Sequence, residues 1–179
     1  MLIIDIQRDY FPGGAYPLVE PEAAAAAARR VLDSFRAAGD SVIHMKHVWD
    51  EPDATFMRPG TEGIEIHPSV APADGERVLE KATPNSFIDT RLEEELRRLD
   101  TDELVVAGMM SSMCVDATVR AATDLGFSAT VVHDACAAPD LAFNGVDVPG
   151  AAVHAAFMAA LADGYAKLTS AADLIDEST

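Results

Sequence analysis

Short apolar runs alternate with helical patterns along most of the chain. The first, fourth and fifth runs are almost continuously apolar, as expected for parallel strands that helices cover on both faces. The six predicted strands are Leu2–Ile6, Ser41–His47, Arg77–Lys81, Glu103–Ala107, Ala129–His133 and, more weakly, Tyr165–Leu168. The pattern therefore predicts a repeat of strand and helix.

Helical patterns lie between most of these strands. An alanine-rich helix begins at Pro21 and ends before Gly39, since proline favours the first turn of a helix and glycine the position after its last turn. Further helices are predicted after Thr90, from Ser112 to Leu125, from Pro149 to Gly164 and after Thr169. This order predicts an α/β protein with three α/β/α layers and a parallel sheet, forming a single domain over residues 1–179.

Residues 48–76 form a connection without a strong helical pattern, and they contain several prolines together with Trp49 and Phe56. Long irregular segments inside compact domains are usually functional or form interfaces. The segment Pro139–Val148 is a second, shorter candidate of this kind. We therefore expect the first segment to contribute to a binding site or to a subunit contact.

The charge of the chain argues against some classes of partner. The sequence contains 30 acidic and 13 basic residues, which gives a net charge of −17. Such a surface repels phosphate backbones and anionic lipid, so we expect no nucleic acid and no membrane among its partners. The apolar runs are shorter than the roughly 20 residues that span a bilayer, and the N-terminal residues do not resemble a signal peptide. We predict a cytoplasmic protein with a small-molecule substrate.

Three reactive side chains lie at or just past the ends of predicted strands. Asp5 lies near the end of the first strand, Lys81 closes the third, and Cys114 follows the fourth. In open parallel sheets, ligands bind beyond the carboxyl ends of the strands, where the strand order reverses. A carboxylate in a buried strand is costly unless it has a partner or a catalytic task. These three residues are therefore candidates for one site.

Each candidate also has an ordinary structural explanation. Most free cysteines are small buried residues, and a lysine at a strand end usually faces solvent. Cys114, however, lies near the start of a predicted helix, where the thiol pKa is lowered, and a nearby ammonium would lower it further. Cys136 is best interpreted as a small buried residue, although a disulfide with Cys114 is conceivable.

Three segments resemble motifs of the isochorismatase-like hydrolases, the group that includes nicotinamidases and related amidases. Residues 2–11 resemble the opening strand motif, residues 80–87 the lysine segment and residues 108–122 the nucleophile segment. The motifs occur in the family's order, and the resemblance extends over essentially the whole chain. It implies a six-stranded parallel sheet in the order 3-2-1-4-5-6, with Asp5 and Cys114 meeting at the switch point.

The resemblance also implies a cysteine hydrolase that cleaves an amide-like C–N bond through a thioester. Cys114 would be the nucleophile, Asp5 would exchange protons with it, and Lys81 would hold Asp5 and lower the thiol pKa. A cis peptide at Met109–Met110 is implied, together with an oxyanion hole made by the N–H groups of Met110 and Cys114. The alternatives are a vinyl-ether hydrolase of the isochorismatase type and a binding protein without turnover.

Substrate contacts and cofactors are further expectations. Nicotinamidases bind a metal through Asp-x-His and a second histidine after strand 2, and residues 47–52 lack this spacing. His67 fits a capping or surface role better, so we expect no metal and no cofactor. The resemblance suggests a homo-oligomer, either a dimer or a tetramer. The residues that we expect to bind substrate, although core packing explains the aromatic ones equally well, are Gln7, Phe11, Trp49, Asn85 and Phe87.

Overall fold

A parallel sheet forms the centre of the molecule. The computed structural model describes residues 1–177, so residues 178 and 179 of the predicted domain lie outside the described range. The strands are β1 (Leu2–Ile4), β2 (Ile43–His47), β3 (Arg77–Lys81), β4 (Glu103–Met109), β5 (Ser128–Ala137), β6 (Leu141–Phe143), β7 (Val146–Val148) and β8 (Lys167–Thr169). The six-stranded sheet has the order β3-β2-β1-β4-β5-β8, and all its pairings are parallel.

Helices cover both faces of this sheet. They are α1 (Pro21–Ala38), α2 (Leu92–Arg98), α3 (Asp116–Asp124), α4 (Gly150–Gly164) and α5 (Ala171–Glu177). Successive strand side chains point to opposite faces, so Ile3 packs with α1 and α5 while Leu2 and Ile4 pack with α2, α3 and α4. None of the described helices is long and apolar enough to cross a membrane.

The predicted fold class and strand order are confirmed, with β8 as the sixth strand of the sheet. Every predicted strand of the sheet except Arg77–Lys81 differs from the observed strand at one or both ends. β1 ends at Ile4 because the chain turns at Asp5, which has a left-handed φ of 50° and accepts a hydrogen bond from the Gln7 amide at 2.9 Å. β5 continues to Ala137, beyond the predicted end at His133.

The segment Pro139–Val148 is more regular than the sequence pattern predicted. Its strands β6 and β7 form an antiparallel hairpin. Asn144 and Gly145 join them with φ angles of 51° and 77°, which is the backbone that a tight two-residue hairpin turn requires. An Asn-Gly pair between short apolar runs is the signal that would have predicted this hairpin.

A close approach between β1 and β4 fixes the start of the segment that carries Cys114. Gly108 pairs with Ile4 and has a φ of +155°. A Cβ at Gly108 would lie 2.2 Å from the Ile4 carbonyl oxygen, so a larger residue would push the two central strands apart. Glycine therefore lets β4 end directly beside the end of β1.

Candidate active site

Four side chains converge at the carboxyl ends of the central strands. Asp5 follows β1, His47 ends β2, Lys81 ends β3, and Cys114 lies in the helical turn Ser111–Val115 after β4. The Asp5 and Lys81 side chains are fully buried and form an ion pair, with 2.7 Å between Oδ2 and Nζ. A carboxylate oxygen of Asp5, a ring nitrogen of His47 and the Cys114 sulfur lie within 4.8 Å of one another.

The Lys81 ammonium has three close polar neighbours. Besides its ion pair with Asp5, Nζ lies 2.9 Å from the Thr83 carbonyl oxygen and 2.9 Å from His47 Nδ1. Asp5, His47 and Cys114 are donor types that bind zinc, but the ammonium already engages two of them. An ammonium in contact with two of them disfavours a metal ion at this position, because the like charges would repel each other.

Burial dominates the electrostatics of this cluster. Burial raises the pKa of the Asp5 carboxyl, against the opposing effects of the Lys81 charge and of a hydrogen bond from Cys114. Burial, followed by the Asp5 charge, raises the pKa of the Cys114 thiol far above its usual range, and Lys81 opposes this only in part. Burial and the Lys81 charge lower the pKa of His47 to about 4. The thiol and the imidazole are therefore neutral at pH 7.

The raised pKa corrects one expectation from the sequence. The position of Cys114 near a helix start and the proximity of Lys81 led us to expect a lowered thiol pKa. The expectation is wrong for the resting site, because desolvation and the Asp5 carboxylate outweigh both effects.

Cys114 opens onto a cavity of about 610 Å³. None of the residues that line this cavity, within the described part of the chain, carries a formal charge at pH 7. Polar groups are His47, the Ser112 hydroxyl and the two tyrosines, while the remaining wall is apolar. The larger side chains in the wall are Tyr10, Tyr16, Trp49, Phe56, Met110, Met113, Leu141 and Phe157. The cavity is therefore suited to an uncharged, largely apolar ligand.

The irregular segment 48–76 supplies one side of this cavity. Phe56 stacks on Tyr16 with 4.9 Å between ring centroids, lies 5.9 Å from the Tyr10 ring and meets Trp49 edge to face at 5.3 Å. These ring contacts hold the part of the segment that carries Trp49 and Phe56 against Tyr10 and Tyr16. The prediction that segment 48–76 contributes to a binding site therefore has a structural basis in Trp49 and Phe56.

Gln7 and Phe11 lie away from the cavity, contrary to the prediction that they bind substrate. The Gln7 amide donates to the carbonyl oxygens of Ile64 and His47 at 2.7 and 2.9 Å and accepts from the His47 amide at 2.8 Å. It therefore satisfies backbone groups. Phe11 stacks on His67 at 3.7 Å and lines a neighbouring groove, because the helical turn Arg8–Tyr10 directs Tyr10 into the cavity instead.

Asn85 and Phe87 also lie outside the cavity wall, contrary to the prediction that they bind substrate. The Asn85 carbonyl side chain accepts a hydrogen bond from the Phe87 amide at 2.9 Å, and Phe87 stacks on Phe127 at 6.0 Å in the core. Their local turn orders the segment after β3 and does not face Cys114. Among the predicted substrate contacts, Trp49 is the one that the structure places in the cavity wall.

Sequence reasoning missed several wall residues that had recognisable signals. Tyr10 is adjacent to Phe11 in the same motif, Phe56 lies in the segment singled out as irregular, and His47 ends a predicted strand beside Trp49. Phe157 lies within the helix predicted from Pro149 to Gly164, where an apolar side chain is ordinarily a core residue. The expected capping role of His67 is confirmed, since its Nδ1 accepts a hydrogen bond from the Ser69 amide at 3.3 Å.

The turn that carries Cys114 begins with a cis peptide between Met109 and Met110. Met110 has an extended backbone and lines the cavity together with Cys114. Cys136 is a free, buried cysteine on β5 whose thiol donates to the Val132 carbonyl oxygen at 3.4 Å. Burial raises the pKa of this thiol to about 12, as expected for a structural residue.

The fold and the site define a class of protein: a doubly wound α/β domain with reactive side chains at the switch point of its sheet, where such domains bind small molecules. Residues 1–173 match the Isochorismatase domain family. The chain belongs to the isochorismatase family, and it is a hydrolase of that family.

Similar proteins extend this assignment. The isochorismatase family protein YddQ of Bacillus subtilis is 49% identical over 166 residues, which are 93% of this chain and 92% of YddQ. A crystal structure of an isochorismatase hydrolase from Oleispira antarctica is 48% identical, with a TM-score of 0.94 over 98% of this chain and 94% of that one. A nicotinamidase of Escherichia coli is 27% identical over 76% of this chain and 81% of its own length. The family therefore includes amidases that act on C–N bonds.

Proposed function

We propose that this hydrolase cleaves a C–N bond of an uncharged, amide-like small molecule through a thioester on Cys114. The observation that carries the proposal is the cluster of Asp5, Lys81 and Cys114 beside a cavity without charged wall residues. A family whose members include amidases supports the same reaction type. Free cysteine at this position is what distinguishes covalent amide hydrolysis from vinyl-ether hydrolysis, which needs no nucleophilic sulfur.

The proposed reaction begins from a neutral thiol. Asp5 takes the proton from Cys114 as the sulfur attacks the substrate carbonyl, and Lys81 keeps the carboxylate in place. The N–H groups of Met110 and Cys114 are the proposed donors to the oxyanion of the tetrahedral intermediate. Asp5 then returns the proton to the leaving nitrogen, which breaks the C–N bond and leaves a thioester. Water then attacks the thioester while Asp5 takes its proton; the C–S bond breaks, the acid product is released, and Asp5 returns the proton to the Cys114 sulfur.

The test compares Cys114→Ala with Cys136→Ala on a panel of amides, ureas, lactams and N-carbamoyl compounds, with ammonia or amine as the readout. We expect Cys114→Ala to lower kcat/KM by roughly 10³-fold or more, because it removes the nucleophile. Cys136→Ala should stay near the wild-type value, because Cys136 faces the Val132 backbone and not the cavity.

Two outcomes would contradict the proposal. One is an unchanged kcat/KM in a folded Cys114→Ala protein. The other is turnover confined to vinyl ethers such as isochorismate, which would favour the alternative chemistry. Circular dichroism of both variants establishes that they are folded, so a lost activity is not mistaken for lost structure.

A further inference from the structure

His47 is a polar side chain of the cavity wall that lies close to the proposed nucleophile. One of its ring nitrogens lies within 4.8 Å of both the Cys114 sulfur and a carboxylate oxygen of Asp5. The Gln7 side chain hydrogen-bonds both backbone groups of His47: it accepts from the N–H and donates to the carbonyl oxygen. The imidazole is therefore held at the end of β2, beside the reacting atoms.

Lys81 determines which ring nitrogen of His47 carries the proton. An ammonium has protons but no lone pair, so its 2.9 Å contact with Nδ1 requires that Nδ1 accept the hydrogen bond. A neutral imidazole with a bare Nδ1 has its proton on Nε2. Burial and the Lys81 charge lower the His47 pKa to about 4, so this neutral tautomer is the form present at pH 7.

The protonated nitrogen is left for a ligand. Within residues 1–177, Nε2 makes no hydrogen bond, and the ring forms part of the wall of the 610 Å³ cavity. A donor without a partner in a mostly apolar wall is costly to desolvate, unless the ligand supplies an acceptor. Such a donor also discriminates between ligands, because one that lacks the acceptor leaves it unsatisfied.

We propose that His47 Nε2–H donates a hydrogen bond to the substrate, and that the substrate class is an uncharged amide with a second acceptor close to its scissile carbonyl. The acceptor is a carbonyl oxygen or an aromatic ring nitrogen within a few bonds of the carbon that Cys114 attacks, because the imidazole lies so near the sulfur. The inference rests on the proposed function of Cys114. Lys81 then has two tasks, since it holds Asp5 and also sets the tautomer of His47.

A first test needs no substrate. In protein labelled with 15N-histidine, long-range proton–nitrogen spectra at pH 7 should show His47 with a protonated Nε2 and a bare Nδ1. The signals are assigned by their loss in His47→Gln. In Lys81→Met we expect the preference to disappear, giving a mixture of both tautomers. A wild-type His47 protonated on Nδ1 would overturn the proposal.

The second test compares two substitutions that each keep one half of the imidazole. In His47→Gln, the side-chain amide nitrogen lies near the former Nε2, so this variant keeps a hydrogen-bond donor for the substrate. In His47→Asn, the side-chain oxygen lies near the former Nδ1, so this variant keeps the acceptor for Lys81. On the fastest substrate of the amide panel, we expect His47→Asn to lower kcat/KM by roughly 10-fold to 100-fold, mainly through KM. His47→Gln should retain more of the wild-type kcat/KM than His47→Asn does.

The opposite order, with His47→Asn active and His47→Gln impaired, would show that His47 only positions Lys81, and it would overturn the proposal. Equal activity of both variants and the wild type would also overturn it. If the wild type turns over no amide at all, the proposed function fails, whereas the tautomer spectra still report on Lys81 and His47. The two hypotheses therefore fail in distinguishable ways.

Discussion

The protonation state of Cys114 determines how the site can work. Its thiol is buried beside a carboxylate, and both features raise its pKa, while Lys81 alone opposes them. A resting thiol of this kind is poorly nucleophilic, since the thiolate is the reactive form. In the proposed reaction Asp5 therefore removes the proton during attack, and Lys81 stabilises the charged pair instead of creating a standing thiolate.

Asp5→Asn should have opposite effects on alkylation of Cys114 and on turnover. Removing the carboxylate removes a negative charge beside the sulfur and leaves the Lys81 ammonium, so the Cys114 pKa should fall and alkylation by iodoacetamide at pH 7 should accelerate, by roughly tenfold for each unit of pKa. Turnover should fall by roughly 10²-fold to 10⁴-fold, because the proton acceptor is lost. Rates of alkylation between pH 6 and 10 measure the thiol pKa directly.

Cys136 provides an internal control in the same experiment, since its thiol is buried with a pKa of about 12 and should remain unlabelled. Lys81→Met should raise the Cys114 pKa further, because it removes the neighbouring positive charge, and it should therefore slow alkylation. A wild-type Cys114 that reacts fast well below pH 8 would contradict the raised pKa.

At the scale of elements, the site depends on how closely β1 and β4 approach. Gly108 has a backbone that other residues rarely adopt, and it leaves no room for a Cβ against Ile4. The ends of these two strands carry Asp5 and the turn with Cys114. The same contact that closes the centre of the sheet therefore brings the carboxylate and the sulfur together.

We predict that Gly108→Ala destabilises the fold by about 1–3 kcal/mol or more, because it combines an unfavourable φ with a backbone clash. Urea unfolding monitored by circular dichroism measures this change. Gly164→Ala is the control, since a Cβ there meets nothing within 4 Å and the residue is helical, so it should be neutral or stabilise the fold by up to about 1 kcal/mol. Equal midpoints for wild type and Gly108→Ala would show that the β1–β4 approach can relax without cost.

Sequence reasoning predicted those elements well whose type and ends are indicated by their own residues. Continuous apolar runs identified the central strands, and Pro21 and Gly39 bracket α1 as the structure has it. The β6–β7 hairpin was missed because its strands are only three residues each, too short to show an alternating pattern. The end of β1 was misplaced because the turn at Asp5 depends on contacts with β2 that no local pattern encodes.

At the scale of the whole molecule, a parallel sheet brings together residues that are far apart in sequence. Asp5, Lys81 and Cys114 were recognisable before the structure because each lies at or just past the end of a strand, and the strand order then places them in one region. The cavity wall was less predictable, since it combines the first turn, an irregular loop and one face of α4. Cytoplasmic location and assembly into a dimer or tetramer stay predictions.

In the proposed reaction, catalysis passes through a covalent acyl group on the sulfur of Cys114. Hydroxylamine intercepts a thioester by breaking its C–S bond and forming a hydroxamic acid, so it reports the intermediate without requiring that the intermediate accumulate. With the amide that the enzyme hydrolyses fastest, we predict that added hydroxylamine diverts part of the product to the hydroxamic acid in the wild type, and that none forms with Cys114→Ala. Hydrolysis at the full rate in excess hydroxylamine, with carboxylic acid as the sole product, would contradict the account.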